Sequence, residues 1–195
     1  ITDDRDWCTY TTQWPAGSVE GTDFQDGAVT AAKIPDRTRY KIKEADQLAE
    51  DSSDAPTWTV GASYDYWAFA AAASDAVWLV ESIPFDQAGT TLQVVLWTVP
   101  NVNGAGGGAE NVKWDYNYSL VIAGNVAGFT AGNVTIDQQL RTNGNEYRDE
   151  LVDIASATEG QLLILQIMRD GTDPTDDYAD DMRLLGVELV WTAEA

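Results

Sequence analysis

The chain of 195 residues contains no histidine and only one cysteine, Cys8. The absence of histidine excludes Ser-His-Asp and Cys-His catalysis, together with zinc sites that use imidazole. A single cysteine excludes an intrachain disulfide and cysteine-clustered zinc, which leaves a free thiol or an intermolecular bridge. There is no Walker sequence, and the glycine run at 104–108 precedes a β-like segment instead of a helix. We therefore expect a protein that is not an enzyme and has no nucleotide cofactor.

Basic residues are also scarce. Eleven Lys and Arg face 32 Asp and Glu, for a formal net charge of −21 and an isoelectric point near 4.1. Such a surface repels nucleic acid and anionic membranes, so we expect neither as a partner. Carboxylates are so abundant that no pair of them indicates a glycosidase. The charge is explained by solubility or by a salt-rich habitat in which screening removes self-repulsion. With four lysines in the chain, the second explanation is favoured.

Long apolar runs are missing as well. None reaches the roughly 18 residues of a membrane-spanning helix, and no signal peptide is visible. The chain begins at Ile1 and not at Met, which is typical of a processed or trimmed product. Hydrophobic residues nevertheless make up 44% of the chain and eight are Trp, too much apolar surface for an unfolded polypeptide. The length fits one domain with a substantial core.

The first 39 residues differ from the rest because they have no sustained hydrophobic period. Scattered through them are four aromatic residues, Trp7, Tyr10, Trp14 and Phe24. Aromatic side chains in an aperiodic segment usually pack on something, either their own domain or a neighbouring subunit. We expect residues 1–39 to be an arm that anchors the protein through these four side chains.

From residue 40 to 195, short β-like runs alternate with turn signals, which is typical of a sandwich or barrel. The segment 91–99 alternates most clearly, with Leu92, Val94 and Leu96 on one face. The fold class we expect is all-β, an antiparallel jelly-roll-like β-sandwich. The predicted strands are 40–42, 57–60, 67–72, 76–83, 91–99, 112–123, 138–141, 150–154, 162–169 and 184–192.

The alanine-rich segment 67–82 is ambiguous, since local propensity favours a helix there. We prefer two strands with a turn at Ser74-Asp75, because β-formers follow that turn and strand propensity depends on tertiary context. Elsewhere only a turn or two of helix is expected, at 43–51 and at 123–134.

The segment 161–192 holds two apolar runs on either side of an acidic connection, which predicts two paired strands with an acidic tip. Four of its residues could supply oxygen ligands to Ca²⁺ or Mg²⁺: Asp170, Asp173, Asp176 and Asp177. The spacing is not that of an EF-hand. A solvated loop with Arg169 and Arg183 as counter-charges explains these residues more simply, and we favour it.

Two short aromatic clusters alternate along predicted strands. They consist of Tyr64, Tyr66, Trp67, Trp114, Tyr116 and Tyr118. Exposed rings at such positions stack on the faces of sugars in many sugar-binding sandwiches. Core packing or a subunit interface explains them equally well and is the commoner use of aromatic residues.

Six segments follow one another along the chain in a familiar order. They are GAVTAAKIPDRTR at 27–39, Tyr66-Trp67, the step Ile83-Pro84-Phe85, Leu96-Trp97, VKWDYNY at 112–118, and RDGTDPTDDYADDMRLLGVELVWT at 169–192. This order resembles β-jelly-roll virion proteins of tailed viruses, which are found as tail or head fibres, capsid turrets or decorations. The similarity spans roughly residues 27–192 and is strongest near the C-terminus. The glycine run and the acidity depart from the family pattern, and the acidity suggests a virus of a salt-loving host.

The resemblance implies a structural protein on the virion surface that forms homo-oligomers, commonly trimers, and contacts other virion proteins. Whether it would belong to the head or the tail stays open. Two alternatives also stay open: a receptor-binding module for a host surface glycan, and a secreted or cell-surface lectin-like domain of a halophile.

Overall fold

A computed structural model describes residues 37–87, 89–102, 110–122, 125–126, 128–138 and 141–193. Residues 1–36 of the predicted arm, with Trp7, Tyr10, Trp14 and Phe24, and the glycine run at 104–108 lie outside these residues. The last three residues assigned to the arm, 37–39, instead belong to the first strand of the sandwich. In the described part, one 3-10 helix, Ala45–Gln47, follows the first strand. The strands are β1 (Arg37–Glu44), β2 (Ala49–Glu50), β3 (Thr57–Val60), β4 (Asp65–Phe69), β5 (Ser74–Ser82), β6 (Thr91–Pro100), β7 (Asn111–Ile122), β8 (Asn125–Val126), β9 (Thr130–Asp137), β10 (Tyr147–Ala155), β11 (Leu162–Asp170) and β12 (Met182–Ala193).

These strands form two six-stranded antiparallel sheets, which confirms the predicted all-β jelly-roll-like sandwich. Sheet A has the order β10-β6-β12-β4-β3, and β1 also pairs with β12. Sheet B has the order β2-β5-β11-β7-β8, and β9 lies beside β7 on the same side as β8. The core fills the space between the two sheets.

Alternation along the central strands decides which side chains enter this core. Leu92, Val94 and Leu96 of β6 are completely buried, as the sequence predicts. The inward positions of β11 and β12 follow the same rule; they are Leu163, Leu165, Ile167, Val187, Leu189 and Trp191. Burial of such a set supplies most of the free energy that favours folding, at about 25 cal/mol per Å² of apolar surface.

The prediction that the two apolar runs of 161–192 pair with each other is wrong. β11 lies in sheet B between β5 and β7, whereas β12 lies in sheet A between β6 on one side and β1 and β4 on the other. Each strand is hydrophobic enough to occupy the centre of its own sheet, with partners on both edges. The acidic segment 171–181 is therefore a crossover between the sheets and not the tip of a hairpin.

Of four other local predictions, one is confirmed, two are wrong and one is correct except for the position of its turn. The short helix expected within 43–51 is confirmed by the 3-10 helix Ala45–Gln47. The helix predicted at 123–134 is wrong, because β8 and β9 occupy the described part of that region. The strand predicted at 138–141 is also wrong in its described residues, since β9 ends at Asp137 and neither 138 nor 141 is in a strand. Two strands do form within 67–82, but the turn lies at 70–73, where Asp75 accepts a hydrogen bond from the Ala70 N–H (2.6 Å).

A fully buried ion pair fixes the start of the crossover. The Arg169 guanidinium donates two hydrogen bonds to Asp176, through Nε (2.9 Å) and Nη2 (2.7 Å), and both side chains are 0% exposed. Its remaining N–H groups donate to the carbonyl oxygens of Phe69, Tyr178 and Asp180. Since Arg169 belongs to sheet B and Phe69 to sheet A, this one side chain joins the two layers.

Asp176 and Gly171 complete the junction. Asp176 Oδ2 also accepts a hydrogen bond from the Lys113 backbone N–H of β7 (3.0 Å). Gly171 lies so close to the turn at 70–73 that a β-carbon there would stand 2.5 Å from the Ala71 carbonyl oxygen, which no real side chain tolerates. The crossover is therefore held by both sheets at once.

We expect Asp176→Asn to lower the free energy of unfolding by about 3–5 kcal/mol, because it leaves the buried Arg169 charge without its partner. Denaturant unfolding followed by circular dichroism measures this loss. The matched control is Asp173→Asn on the same crossover, whose carboxylate is partly exposed. A similar small loss for both variants would contradict the role given to the buried pair.

Candidate functional site

The four carboxylates predicted as cation ligands are bonded to groups of the protein. Asp176 is held by Arg169, as described above, and Asp177 accepts a hydrogen bond from the Asn111 N–H. Asp173 binds Lys113 Nζ (2.6 Å), and Asp170 accepts from Ser74 and Thr172 hydroxyls at 3.0 and 2.7 Å. In the described part of the chain no three carboxylates are arranged to hold a metal ion. The structure thus does not bring these four residues together as a ligand set.

The counter-charges of this segment differ in part from those expected. Arg169 pairs with Asp176 as predicted, but Arg183 bonds the Asn101 side chain and lies over the Tyr66 ring, 5.1 Å from its centroid. Lys113, which the sequence did not single out, stands within 4 Å of Asp115, Asp170 and Asp173. Because of the Lys113 contact and the Thr175 hydrogen bonds, the pKa of Asp173 lies well below its usual range.

Two of the predicted ligand-contacting aromatics belong to the core. Trp114 is 0% exposed and packs edge-on against Phe69, with ring centroids 5.1 Å apart. Trp67 is buried, packs against Trp58 and donates its indole N–H to the Ala45 carbonyl (2.8 Å). Their burial removes both from contact with a surface ligand.

The other four predicted aromatics are half-buried. Tyr116 and Tyr118 stack on each other at an angle of 27° and pack against the core cluster. Tyr66 meets Tyr64 edge-on, and Tyr64 lines a cavity of about 340 Å³ together with Glu44, Asp46 and Asp65. Tyr116 also lines a cavity, of about 300 Å³, whose lining includes polar side chains.

The outer face of sheet B carries a different set of groups. Trp78 of β5, Gln166 of β11 and Asn117 of β7 are register neighbours and form one straight row across three strands, which we name the Trp78 row. Since Val77 and Leu79 point into the core, strand alternation places Trp78 on the outside. Asn117 Nδ2 donates to Gln166 Oε1 at 2.9 Å, so the two amides are oriented by each other.

Asp51 fixes this row from one end. Its Oδ2 accepts the Trp78 indole N–H (2.7 Å) and a Gln166 amide hydrogen (3.1 Å). Its Oδ1 accepts the backbone N–H and the hydroxyl of Ser53, at 3.0 and 2.8 Å. Hydrogen bonds from Ser53 and then from Trp78 hold the pKa of Asp51 well below its usual range. The carboxylate therefore stays charged at neutral pH and keeps the indole ring in one orientation.

Apolar groups surround the row. Phe129, which is 53% exposed, meets Trp78 edge-on with ring centroids 6.2 Å apart. Val80 and Leu162 on the same face are 56% and 37% exposed. An oriented indole and an exposed phenylalanine ring thus lie beside two oriented amide groups, with further apolar side chains on the same face.

In the part of the chain that the structure describes, the positive charge on this face is already paired. Within the described residues, Lys113 is the basic residue on the outward positions of sheet B, and Asp173 holds its ammonium group. Acidic residues on these positions include Asp115 and Asp170. A negatively charged ligand would be repelled here.

Sequence reasoning missed the Trp78 row because its members come from three distant segments. In the sequence, Trp78 is one of the β-formers that follow the turn predicted at Ser74-Asp75, and Gln166 and Asn117 are single polar residues inside apolar strands. The available signal was the alternation of SDAVWLVES and LLILQIMRD, which exposes a Trp and a Gln on faces opposite the core.

Comparisons with known proteins identify no relative: no protein-family model and no curated protein matches the chain. Solved structures of similar fold include a cycloisomaltooligosaccharide glucanotransferase of Paenibacillus sp., with 13% identity and a TM-score of 0.45 over 75% of this chain and 18% of that one. Another is the CBM22-2 xylan-binding domain of Paenibacillus barcinonensis Xyn10C, with 11% identity and a TM-score of 0.33 over 75% and 98%. A third is tailspike protein 4 of bacteriophage CBA120, with 9% identity and a TM-score of 0.39 over 74% and 19%.

The chain thus spans less than a fifth of the glucanotransferase and less than a fifth of the tailspike. Similarities this low identify neither a family nor a function. Among the described residues, no helix has the length and apolar character needed to cross a membrane.

We expect Asp51→Asn to lower the stability of the protein at neutral pH, because the native state prefers the charged carboxylate. A pKa that is depressed in the folded state adds stability above the ordinary value of 3.8, and this contribution is lost as the pH falls further. The difference in free energy of unfolding between wild type and variant should therefore be constant from neutral pH to about pH 5 and shrink in more acidic solution.

Urea unfolding at a series of pH values measures this difference. Asp54→Asn on the same turn is the control, since Asp54 does not touch the Trp78 row. A difference between wild type and Asp51→Asn that grows on acidification would contradict the assignment.

Proposed function

We propose that the protein binds a neutral oligosaccharide on the outer face of sheet B. The observation that carries the proposal is the Trp78 row with Phe129 beside it: an oriented indole and two oriented amides, all half-buried, on the outward side of sheet B. The role proposed for this face is binding.

The chemistry of the row suits a sugar ring. A pyranose has an apolar face of C–H groups, which packs against an aromatic ring, and a rim of hydroxyls, which need donors and acceptors. Trp78 and Phe129 supply the rings, while Gln166 and Asn117 supply amide donors and acceptors. Because Asp51 already fixes the indole, little conformational entropy would be lost when a ligand binds.

The charge of the face indicates the ligand class. The acidic groups nearby and the sequestered Lys113 disfavour uronic acids, sialic acids and sulfated sugars. A neutral oligosaccharide avoids this repulsion. Fixed apolar and polar contacts would decide its affinity, so we expect little loss of binding at high salt.

The resemblance to virion surface proteins of tailed viruses stays a prediction beside this proposal. If it is right, the neutral glycan belongs to the surface of the host cell, and the module is the receptor-binding part of a fibre or turret. If the protein instead belongs to a halophilic cell, the same face would make it a lectin-like domain. The ligand chemistry is the same in both cases.

We expect Trp78→Ala to weaken binding of a neutral oligosaccharide by about tenfold or more, equivalent to about 1.4 kcal/mol. A glycan array identifies the ligand, and calorimetric titration measures the loss. Phe129→Ala should weaken binding several-fold because it removes the second ring.

The matched control is Phe85→Ala, since Phe85 is 78% exposed and is not part of the row. It should leave binding unchanged. Preferential binding of acidic glycans, or equal affinities for wild type, Trp78→Ala and Phe129→Ala, would contradict the proposal. The two phenylalanine variants keep the test valid even where Trp78→Ala perturbs the fold.

A further inference from the structure

Two Asn-X-Ser/Thr sequences occur in the chain, Asn117-Tyr118-Ser119 and Asn133-Val134-Thr135. This sequence is the acceptor for N-linked glycosylation, in which the enzyme must reach both the asparagine amide and the hydroxyl two residues later. The two copies lie on neighbouring strands, β7 and β9, of the same sheet. Their surroundings differ in the properties that decide whether the reaction can occur.

Asn133 is accessible. It lies in the middle of β9, and both Asn133 and Thr135 are exposed on the outward face of sheet B. Among the described residues, β9 pairs with β7 alone, so it forms the edge of this part of the sheet. The acceptor amide and its hydroxyl therefore face solvent together.

Asn117 is blocked in the folded protein. Its amide is half-buried and donates to Gln166 (2.9 Å) within the Trp78 row. Ser119, which would have to present its hydroxyl, is 1% exposed. A glycan on Asn117 would also break the row, whereas one on Asn133 would not.

From this contrast we infer that Asn133 is an N-glycosylation acceptor and Asn117 is not. In the reaction, Asn133 Nδ2 forms a bond to the anomeric carbon of a lipid-linked oligosaccharide. The bond from that carbon to the phosphate oxygen breaks, the lipid phosphate leaves with the electron pair, and the amide proton passes to a base of the transferase. No oxidant or reductant is needed.

A cavity beside Asn133 offers room for the first sugar. It has a volume of about 300 Å³, and its lining includes Asp115, Tyr116 and Met168 as well as Asn133 itself. One buried oxygen of this cavity, Asp115 Oδ1, has no hydrogen-bond partner and stands 3.6 Å from Lys113 Nζ. Met168, on the outward face of β11, would provide apolar contact for a sugar here, whereas the Tyr116 ring packs against the core.

The attached glycan would stand close to the Asn117 end of the Trp78 row, because Asn117 lines the same cavity, and far from the Trp78 end. β9 and β5 are separated by β7 and β11, so Asn133 and Trp78 stand three strand spacings apart, about 14 Å. The inference rests on the exposure of Asn133 and Thr135 and makes no use of sugar binding by the row.

The test is mass spectrometry of the full chain isolated from its natural source. We expect the intact mass to exceed that of the polypeptide by one glycan, and enzymatic or chemical deglycosylation to remove it. Trypsin leaves both acceptors on one peptide, 114–141, so chymotryptic cleavage after Tyr118 or fragment spectra must locate the site.

Three variants made in the same cells complete the test. Asn133→Gln and Thr135→Ala should lack the glycan, although Thr135→Ala keeps the acceptor amide, whereas Asn117→Gln should carry it like the wild type. A wild-type chain with unmodified Asn133, or with a glycan on Asn117, would overturn the inference. Equal melting temperatures of the Asn133→Gln and wild-type chains would show that loss of the glycan is not loss of the fold.

Discussion

The buried pair of Arg169 and Asp176 is the contact on which the arrangement of the two sheets depends. Arg169 extends from the central strand of sheet B, donates to a carbonyl of sheet A and holds the crossover, while Asp176 accepts from β7. A buried guanidinium is costly unless its donors are satisfied, and here each has an acceptor. This geometry also fixes the strands that carry the candidate site, because β7 and β11 bear Asn117 and Gln166.

The acidity of the chain bears on the proposed binding face because carboxylates neutralise the basic side chains near it. The few cations near the crossover, Arg169 and Lys113, are bound by carboxylates of the segment 170–176. Among the described residues, the outer face of sheet B is left with an oriented tryptophan and amides, and its lysine is paired with carboxylates. A surface rich in carboxylates can thus still present an uncharged, preorganised row.

Much of the fold could be predicted from sequence, because alternation alone identifies the inward residues of β6, β11 and β12. The pairing of the strands could not be predicted in this way. In the sequence β11 and β12 resemble a hairpin, but strands from elsewhere in the chain pair with both edges of each. The candidate site was harder still. Trp67 and Trp114 drew attention as aromatic residues but pack in the core, whereas Trp78, Gln166 and Asn117 meet only through register.

The most direct test of the account is a ¹⁵N NMR titration with the neutral oligosaccharide that binds most tightly on the array, following the tryptophan indole N–H signals. The account predicts that the Trp78 indole and the side-chain amides of Gln166 and Asn117 shift together and saturate at one ligand concentration. Trp97 and Trp191, whose indoles bond Glu188 and Asp86 of other regions, should not move. Shifts confined to those two indoles, or no shift at Trp78, would contradict it.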